Sequence, residues 1–263
     1  MIQSQEPVIL DKRGAICEIR FNRPDKLNAL DVALAEGFRS AVAQAVADST
    51  VRVIIVSAAG RAFVAGGDLG HFRSSPDRAL AASQLIDPIH AGLKMLESSD
   101  KISIGALKGA VAGGGMSLAL NFDLAIAAAD TVFNLAYNRI AASPDCGGSW
   151  ALPRLVGTRK ALEIALLSES IEAAEALRLG LVNRIVPLDE LDGEVEKIAA
   201  RLAMGSAAAQ GRTKLLMRSA FDRTHSEQLD AERDCFAASA TSADFAEALD
   251  AFFAKRKPQF QGC

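Results

Sequence analysis

Three short apolar runs, separated by longer helical segments, place the strongest constraint on how this chain folds. The runs are VRVIIV at 51–56, ISIGAL at 102–107 and DLAIAA at 123–128. Short, nearly continuous apolar runs of this kind are typical of strands that are buried on both faces of a sheet. Helical patterns lie between the runs, so each strand is expected to reach the next by a right-handed crossover. The pattern predicts an α/β fold around a largely parallel sheet.

The rest of the chain supplies further elements. Residues 15–21 alternate with period two, which predicts a strand, and a short strand is predicted near 182–186. Asp31 is placed to cap a helix over about 32–47. Further helices are predicted over 79–98, 116–121, 189–204, 206–221, 226–240 and 242–255. Because the chain is almost wholly helical near its end, we predict a core domain over 1–200 and a helical C-terminal region over 201–263.

Composition and charge exclude several classes of protein. The 263 residues are 50% hydrophobic and 23% charged with a net charge of −3, which excludes a disordered chain and gives no support for a nucleic-acid partner. The four cysteines form no Cys-x-x-Cys pair and the three histidines share no ligand spacing, so no metal site is predicted. The first ten residues lack a leader pattern, and no apolar run reaches the ~18–20 residues of a membrane helix. We therefore expect no membrane partner and a cytoplasmic protein.

Two similar glycine-rich turns are the most informative local feature. The first, AFVAGGDL at 62–69, follows the strand at 51–56, and the second, GAVAGGGM at 109–116, follows the strand at 102–107. Neither turn matches the Gly-x-Gly-x-x-Gly or Gly-Lys-Ser/Thr patterns of nucleotide phosphate sites. Either turn alone could simply reverse the chain. Two glycine turns that converged would expose backbone N–H groups able to form an oxyanion hole, which stabilises negative charge on a carbonyl oxygen.

Several motifs together resemble one enzyme family. They are FNRPDKLNAL at 21–30, RAFVAGGDL at 61–69, KGAVAGGGMSLAL at 108–120, DLAIAA at 123–128, SPDCGGSWALPRLVG at 143–157 and EALRLGLVNRIVP at 175–187. In order and spacing they are similar to the enoyl-CoA hydratase/isomerase, or crotonase, superfamily. The resemblance implies a spiral of β-β-α units with a helical C-terminal trimerisation region, assembled as a homotrimer or as a hexamer made of two trimers. It also implies an acyl-CoA thioester substrate and no cofactor, since coenzyme A is part of the substrate.

The resemblance also assigns expected roles by position. The N–H groups of Gly67 and Gly114 would hold the thioester oxygen, and the backbone at Ala65 and Leu69 would contact the adenine and pantetheine portions of CoA. Lys26 would lie near the ribose and phosphates, although an ordinary surface lysine explains it equally well.

The departures from the hydratase pattern bear on the reaction. Hydratases of this family use two glutamates to add water, and those positions are here Ser117 and Tyr137. A serine is not a useful base at neutral pH, and a tyrosine with a pKa near ~10 is mostly protonated. Asp145 stands where the 1,2-epoxyphenylacetyl-CoA isomerase branch carries its proton-transferring aspartate. The resemblance therefore implies an isomerase with Asp145 as proton shuttle. A helix cap for a helix that starts near Gly148 is the alternative role for this aspartate.

Three further functions remain open at this point. One is an enoyl-CoA hydratase that uses Asp145 and a water molecule. Another is a dehalogenase of the 4-chlorobenzoyl-CoA type, in which Asp145 is the nucleophile and His90 the base. The third is a non-catalytic acyl-CoA-binding protein. His90 could also simply line the acyl pocket, as could Tyr137.

Overall fold

A computed structural model describes residues 6–261. Residues 1–5, Gly262 and Cys263 lie outside the described residues. The first ten residues, which lack a leader pattern, are therefore only half described. The strands, in chain order, are β1 (Val8–Arg13), β2 (Ile16–Phe21), β3 (Val53–Ala58), β4 (Ile102–Leu107), β5 (Ala110–Ala112), β6 (Leu124–Ala128), β7 (Val132–Asn134), β8 (Ile171–Glu172) and β9 (Arg184–Val186).

The helices surround these strands and dominate the C-terminal part of the chain. In chain order they are α1 (Val32–Ala47), α2 (Leu69–Ser74), α3 (Arg78–Ser98), α4 (Gly114–Ala119), α5 (Gly148–Val156), α6 (Thr158–Leu167), α7 (Ala173–Arg178), α8 (Leu191–Ala203), α9 (Ala207–Ser219), α10 (His225–Ala240) and α11 (Ala243–Phe253).

The strands form two sheets. The larger has the order β1-β2-β3-β4-β6-β9, and the smaller has the order β5-β7-β8. In the larger sheet every pair from β2 to β9 is parallel, and β1 is antiparallel to β2 at one edge. The predicted α/β class with a largely parallel sheet is confirmed.

The larger sheet is covered on both faces. On one face, Ile54 and Val56 of β3 belong to the main hydrophobic core, where α1 and α3 pack. On the other face, Val53 and Ile55 pack with Val195 and other apolar residues of α8. Burial on both faces explains why the strand sequences show no polar alternation.

The predicted element boundaries need small corrections. The strand expected at 51–56 lies at 53–58, because the Val51 N–H donates to the Asp48 carbonyl at 3.1 Å in the turn that follows α1. The helix expected at 116–121 starts at Gly114, directly after the sharp turn at Gly113. Helix α1 begins where predicted, and the Asp31 carboxylate accepts from the Leu34 N–H at 2.9 Å. The division of the chain at residue 200 stays a prediction.

Candidate active site

The two glycine-rich turns lie against each other at one end of the parallel strands. Val64 and Val111 form an isolated parallel bridge. The Ala112 N–H donates to the Val64 carbonyl at 2.9 Å. The turns therefore converge, as an oxyanion hole built from both of them requires.

Glycine is needed for this close approach. Gly113 has φ of +49°, in the left-handed region that other residues rarely adopt. A Cβ on Gly115 would lie 2.6 Å from the Val64 Cβ and closer still to the Val64 carbonyl oxygen. A side chain at position 115 would therefore push the two turns apart.

Within the described residues, this arrangement leaves two backbone N–H groups without a hydrogen-bond acceptor. Leu30 and Gly67 form an isolated parallel bridge: the Leu30 N–H donates to the Gly66 carbonyl at 2.8 Å, and the Leu30 carbonyl accepts from the Asp68 N–H at 2.8 Å. The Gly67 N–H takes no part in this pairing and points away from Leu30. Gly114 is the first residue of α4, where an N–H has no partner within the helix. Within residues 6–261, neither the Gly67 nor the Gly114 N–H donates to a protein acceptor. Both glycines lie beside Leu30, since a methyl group on Gly114 would be 3.0 Å from its Cδ1.

Asp145 and Tyr137 lie beside Gly114. A methyl group on Gly114 would be 3.6 Å from Asp145 Oδ1 and 3.7 Å from the Tyr137 hydroxyl oxygen. The Tyr137 hydroxyl donates to Asp145 Oδ1. The Ser117 Oγ lies 3.0 Å from the Tyr137 hydroxyl oxygen. Since the tyrosine donates its proton to Asp145, Ser117 is the donor in this second hydrogen bond. The two positions that carry glutamates in the hydratase pattern thus form a hydroxyl chain that ends on the lone carboxylate.

The environment keeps the Tyr137 hydroxyl protonated. Burial raises the pKa of Tyr137 well above its usual range, and the negative charge of Asp145 raises it further. Burial and the same carboxylate also raise the pKa of the Cys146 thiol. Tyr137 is therefore a hydrogen-bond donor and not a base, and Cys146 is an inert thiol.

Asp145 is carried by a tight turn with an unusual backbone. Cys146 has φ of +48° and Gly147 has φ of +75°, and the Gly148 N–H donates to the Asp145 carbonyl at 2.9 Å. Two successive left-handed residues closed by such a bond form a type I′ turn. The alternative role of Asp145 as a helix cap is wrong, because the N-cap of α5 is Gly147 and no side chain caps this helix.

Two side chains hold this turn. The Cys146 N–H donates to His90 Nε2 at 3.1 Å. The amide Nδ2 of Asn121 donates to the Cys146 carbonyl at 3.0 Å and to the Ser117 carbonyl at 2.8 Å. His90 therefore lies at the backbone of the Asp145 turn, which the sequence did not indicate. The role of Asn121 was also missed, and no motif in the sequence identifies it.

The residues expected to bind CoA lie in the first glycine turn and in the adjacent loop around Lys26. Lys26 is exposed at the end of the short 3₁₀ turn Pro24–Lys26. Ala65 is half-buried, and its N–H donates to the Leu27 carbonyl at 3.1 Å. Leu69 is 53% exposed at the start of α2. These three residues border the same loop, and each retains exposed surface.

A buried asparagine positions that loop. Asn28 Nδ2 donates to the Ala59 carbonyl at 2.9 Å and to the Ala62 carbonyl at 3.0 Å, while its Oδ1 accepts from the Arg23 N–H at 2.8 Å. The guanidinium of Arg23 also pairs with Asp31 at 2.8 Å. The 21–30 motif therefore fixes the loop that carries Lys26 against the first glycine turn.

The described residues contain no group of three or more histidine, cysteine, aspartate or glutamate side chains arranged to hold a metal ion. Within the same residues, no helix combines the length and the apolar character that a membrane span needs.

Comparison with known proteins identifies the family. Residues 11–263 match the family model described as "Enoyl-CoA hydratase/isomerase". The chain is 33% identical over 252 residues to the 1,2-epoxyphenylacetyl-CoA isomerase of Escherichia coli K12, with 94% of this chain and 95% of the relative covered. It is also 33% identical over 260 residues to the crotonyl-CoA hydratase of Syntrophomonas wolfei, with 97% and 98% covered.

A solved structure of an enoyl-CoA hydratase from Polaromonas sp. JS666 superposes with a TM-score of 0.90 at 30% identity, covering 97% of this chain and 99% of that one. The fold, the converging glycine turns and the sequence matches agree over nearly the whole chain, and so the chain belongs to the enoyl-CoA hydratase/isomerase family of crotonase-fold enzymes.

Proposed function

We propose that this protein is an acyl-CoA isomerase in which Asp145 moves a proton on an enolate held by Gly67 and Gly114. The observation that carries the proposal is the placement of one carboxylate, on Asp145, beside Gly114 at the start of α4. Relatives with hydratase and isomerase names match this chain almost equally well, so the names do not choose between the reactions. The choice rests on the residues at the site.

The reaction needs one group that accepts a proton and returns it. The Asp145 carboxylate takes a proton from a carbon of the acyl chain, and the electron pair moves onto the thioester carbonyl oxygen to give an enolate. The N–H groups of Gly67 and Gly114 stabilise that oxygen, and loss of one such donor typically lowers kcat by about 100- to 1,000-fold. Asp145 then returns the proton to another carbon, so the double bond moves and the carboxylate is regenerated.

Tyr137 and Ser117 support this proton transfer. The Tyr137 hydroxyl donates to Asp145 Oδ1, the oxygen that lies beside Gly114, and so orients the carboxylate that accepts the proton. Because the raised pKa of Tyr137 keeps its proton in place, the phenol stabilises the carboxylate without competing as a base. Neither Ser117 nor Tyr137 can replace the glutamates that activate water in a hydratase.

The substrate is an acyl-CoA thioester, with an enoyl or ring-type acyl group. Lys26 would contact the ribose and phosphates of CoA, and the backbone at Ala65 and Leu69 would contact the adenine and pantetheine. Coenzyme A enters as part of the substrate, so the proposed reaction requires no separate cofactor. Cytoplasmic localisation, and the absence of nucleic-acid or membrane partners, stay predictions.

The dehalogenase alternative has less support. It requires a free nitrogen on His90 to activate water, whereas His90 Nε2 already accepts a hydrogen bond from the Cys146 N–H. In the neutral ring the other nitrogen, Nδ1, then carries the hydrogen. Release of chloride from 4-chlorobenzoyl-CoA is the direct assay, and we expect none.

Deuterium incorporation tests the isomerase proposal. Purified protein is incubated with 3-hexenoyl-CoA in D2O, and the products are analysed by mass spectrometry. We expect the double bond to move and deuterium to enter the acyl chain, with addition of water slower than isomerisation. The Asp145→Asn variant should retain only a small residual rate of both reactions, since an amide cannot accept the proton.

Binding of CoA provides the control. Calorimetric titration with acetyl-CoA should give similar affinities for the wild-type protein and for Asp145→Asn, because the carboxylate lies on the acyl side. Isomerisation at the wild-type rate by Asp145→Asn would refute the role of this residue. Hydration as the faster reaction of the wild type would favour the hydratase, and binding without turnover across straight-chain and aromatic thioesters would favour the non-catalytic alternative.

We further propose that the chain assembles as a homotrimer or as a dimer of trimers. The supporting observation is a set of large apolar side chains exposed on the C-terminal helices. Met217 of α9 is 70% exposed, Phe236 of α10 66%, and Phe252 and Phe253 of α11 76% and 80%. Exposed apolar surface of this extent on one region indicates contact with another chain.

A further inference from the structure

We propose that His90 and Asn121 are positioning residues that act on Asp145 through the backbone of Cys146. The inference rests on the proposed function, in which Asp145 carries the proton. His90 Nε2 accepts a hydrogen bond from the Cys146 N–H, which belongs to the peptide group between Asp145 and Cys146. Asn121 Nδ2 donates to the Cys146 carbonyl, which belongs to the peptide group between Cys146 and Gly147. The two contacts fix both peptide groups that flank Cys146, and with them the direction of the Asp145 side chain.

The turn needs this support because its backbone is unfavourable for a residue with a side chain. Cys146 is fully buried and has φ of +48°, whereas Gly147, at φ of +75°, adopts the left-handed region without a penalty. A non-glycine residue keeps such a conformation when surrounding contacts determine it. At Cys146 these contacts include the hydrogen bond that its N–H donates to His90 and the one that its carbonyl accepts from Asn121.

The Cys146 side chain is buried in the main hydrophobic core, but on the other side of the turn Gly147 borders open space. A cavity of about 210 Å³ lies there, lined by residues that include His90, Asn121, Gly147 and Trp150. A turn that borders open space can relax into it when its hydrogen bonds are lost. On this side of the turn the hydrogen bonds with His90 and Asn121 hold the backbone where packing is missing.

Asn121 also connects the two parts of the site. Its amide Nδ2 binds the Ser117 carbonyl of α4, the helix that begins at Gly114, as well as the Cys146 carbonyl. Its own backbone carbonyl accepts from the Arg218 guanidinium of α9 at 2.6 Å. One amide therefore sets the distance between the oxyanion-hole helix and the turn that carries Asp145.

The role of His90 requires an acceptor and not a base. The Cys146 N–H is necessarily the donor, so His90 Nε2 presents a lone pair. The amide oxygen of glutamine can reach a similar position and accept the same hydrogen bond. A leucine of similar size cannot, and would leave the buried Cys146 N–H without a partner.

Three substitutions test the proposal, with isomerisation of 3-hexenoyl-CoA as the assay. We expect His90→Leu and Asn121→Leu to lower kcat about 10- to 100-fold, as displacement of a catalytic group by about 1 Å does, with KM and acetyl-CoA affinity close to wild type. His90→Gln should recover most of the kcat that His90→Leu loses. Gln84→Leu, an exposed change on the same helix α3, is the matched control and should retain wild-type kcat.

Two measurements separate positioning from general damage to the fold. In the Asp145→Asn background, His90→Leu should lower the residual rate no further, because its effect passes through Asp145. Hydrogen exchange followed by mass spectrometry should show faster deuterium uptake than in the wild type for a peptide covering 143–150 in His90→Leu and Asn121→Leu. Gln84→Leu should show the wild-type rate of uptake in the same peptide. This second measurement does not depend on activity.

The outcomes distinguish the possible failures. Wild-type kcat in both leucine variants, or unchanged exchange in that peptide, would overturn the positioning role. If His90→Gln is as slow as His90→Leu, the imidazole itself transfers a proton and the positioning role of His90 is overturned. Activity retained by Asp145→Asn would instead overturn the proposed function, and the inference with it.

Discussion

Alanine substitutions at two adjacent glycines, 114 and 115, should have opposite consequences for folding and for catalysis. At Gly114 an added methyl group would be 3.0 Å from Leu30 Cδ1, the end of a side chain that can move by a few tenths of an ångström. We expect the loss in unfolding free energy to be about 1 kcal/mol, at the lower end for overpacking. The same methyl group would lie 3.6 Å from Asp145 Oδ1, within the space that a reacting acyl group would use. Displacement of the substrate by about 1 Å should lower kcat/KM about 100-fold.

At Gly115 the obstacle is backbone. The added methyl group would lie 2.6 Å from the Val64 Cβ and nearer to the Val64 carbonyl, so the two glycine turns would have to separate. We expect Gly115→Ala to lower the unfolding free energy by about 3 kcal/mol or more. At about 2–4 °C per kcal/mol for a chain near this size, Tm would fall by roughly 6–12 °C.

Gly193 provides the control for the series. It lies in α8, and an added Cβ would meet no atom within 4 Å. Gly193→Ala should raise the unfolding free energy by about 0.5–1 kcal/mol, as expected for a helix interior, and leave kcat/KM unchanged. Denaturant unfolding and steady-state kinetics on the three variants complete the test. Wild-type kcat/KM in a folded Gly114→Ala protein would refute the placement of the thioester at this residue.

Further expected outcomes concern Tyr137, Lys214 and the C-terminal helix. The Tyr137→Phe variant loses a charge-assisted hydrogen bond to Asp145, so we expect kcat to fall about 10- to 100-fold with unchanged acetyl-CoA affinity. Because burial raises the pKa of Tyr137 above its ordinary value of 10.0, its contribution to stability is complete below that pH and is lost as the pH rises through the folded-state pKa. Above pH 10, each pH unit should therefore lower the unfolding free energy of the wild type by about 1.4 kcal/mol more than that of Tyr137→Phe. Equal slopes for the two proteins would contradict the burial argument. Lys214 is buried, donates to the Leu96 and Lys101 carbonyls at 2.7 Å each and pairs with Asp123 at 3.1 Å, so Lys214→Met should lower the unfolding free energy by about 3 kcal/mol in denaturant titrations. Replacing both Phe252 and Phe253 with serine should shift the protein toward a smaller species in sedimentation velocity, and an unchanged distribution would exclude α11 from the subunit contact.

The central strands and several helices follow from the sequence because their physical causes are local. Strands β3, β4 and β6 are nearly continuous apolar runs, since the larger sheet is buried on both faces. The start of α1 is determined by the Asp31 side chain, which caps the helix within three residues of its own position. These signals act over a few residues and can be read without the fold.

The smaller sheet and the exact element boundaries depend on distant contacts. Its strands β5, β7 and β8 contain three, three and two residues, too few to show a periodic pattern. They exist because each pairs with a neighbour that the rest of the fold brings alongside. Propensity cannot predict an element of this length, since its hydrogen bonds are long-range in sequence.

The sequence by itself determined the chemical inventory of the candidate site: glycines at 67 and 114, no carboxylate at 117 or 137, and one at 145. Only the tertiary structure decided how these groups act on one another. The Tyr137 hydroxyl meets Asp145, and His90 reaches the backbone of Cys146 across 56 positions of sequence. Hydrogen bonds form between groups within about 3 Å of each other, and that proximity is fixed by packing of the helices around the sheet, which no single segment encodes.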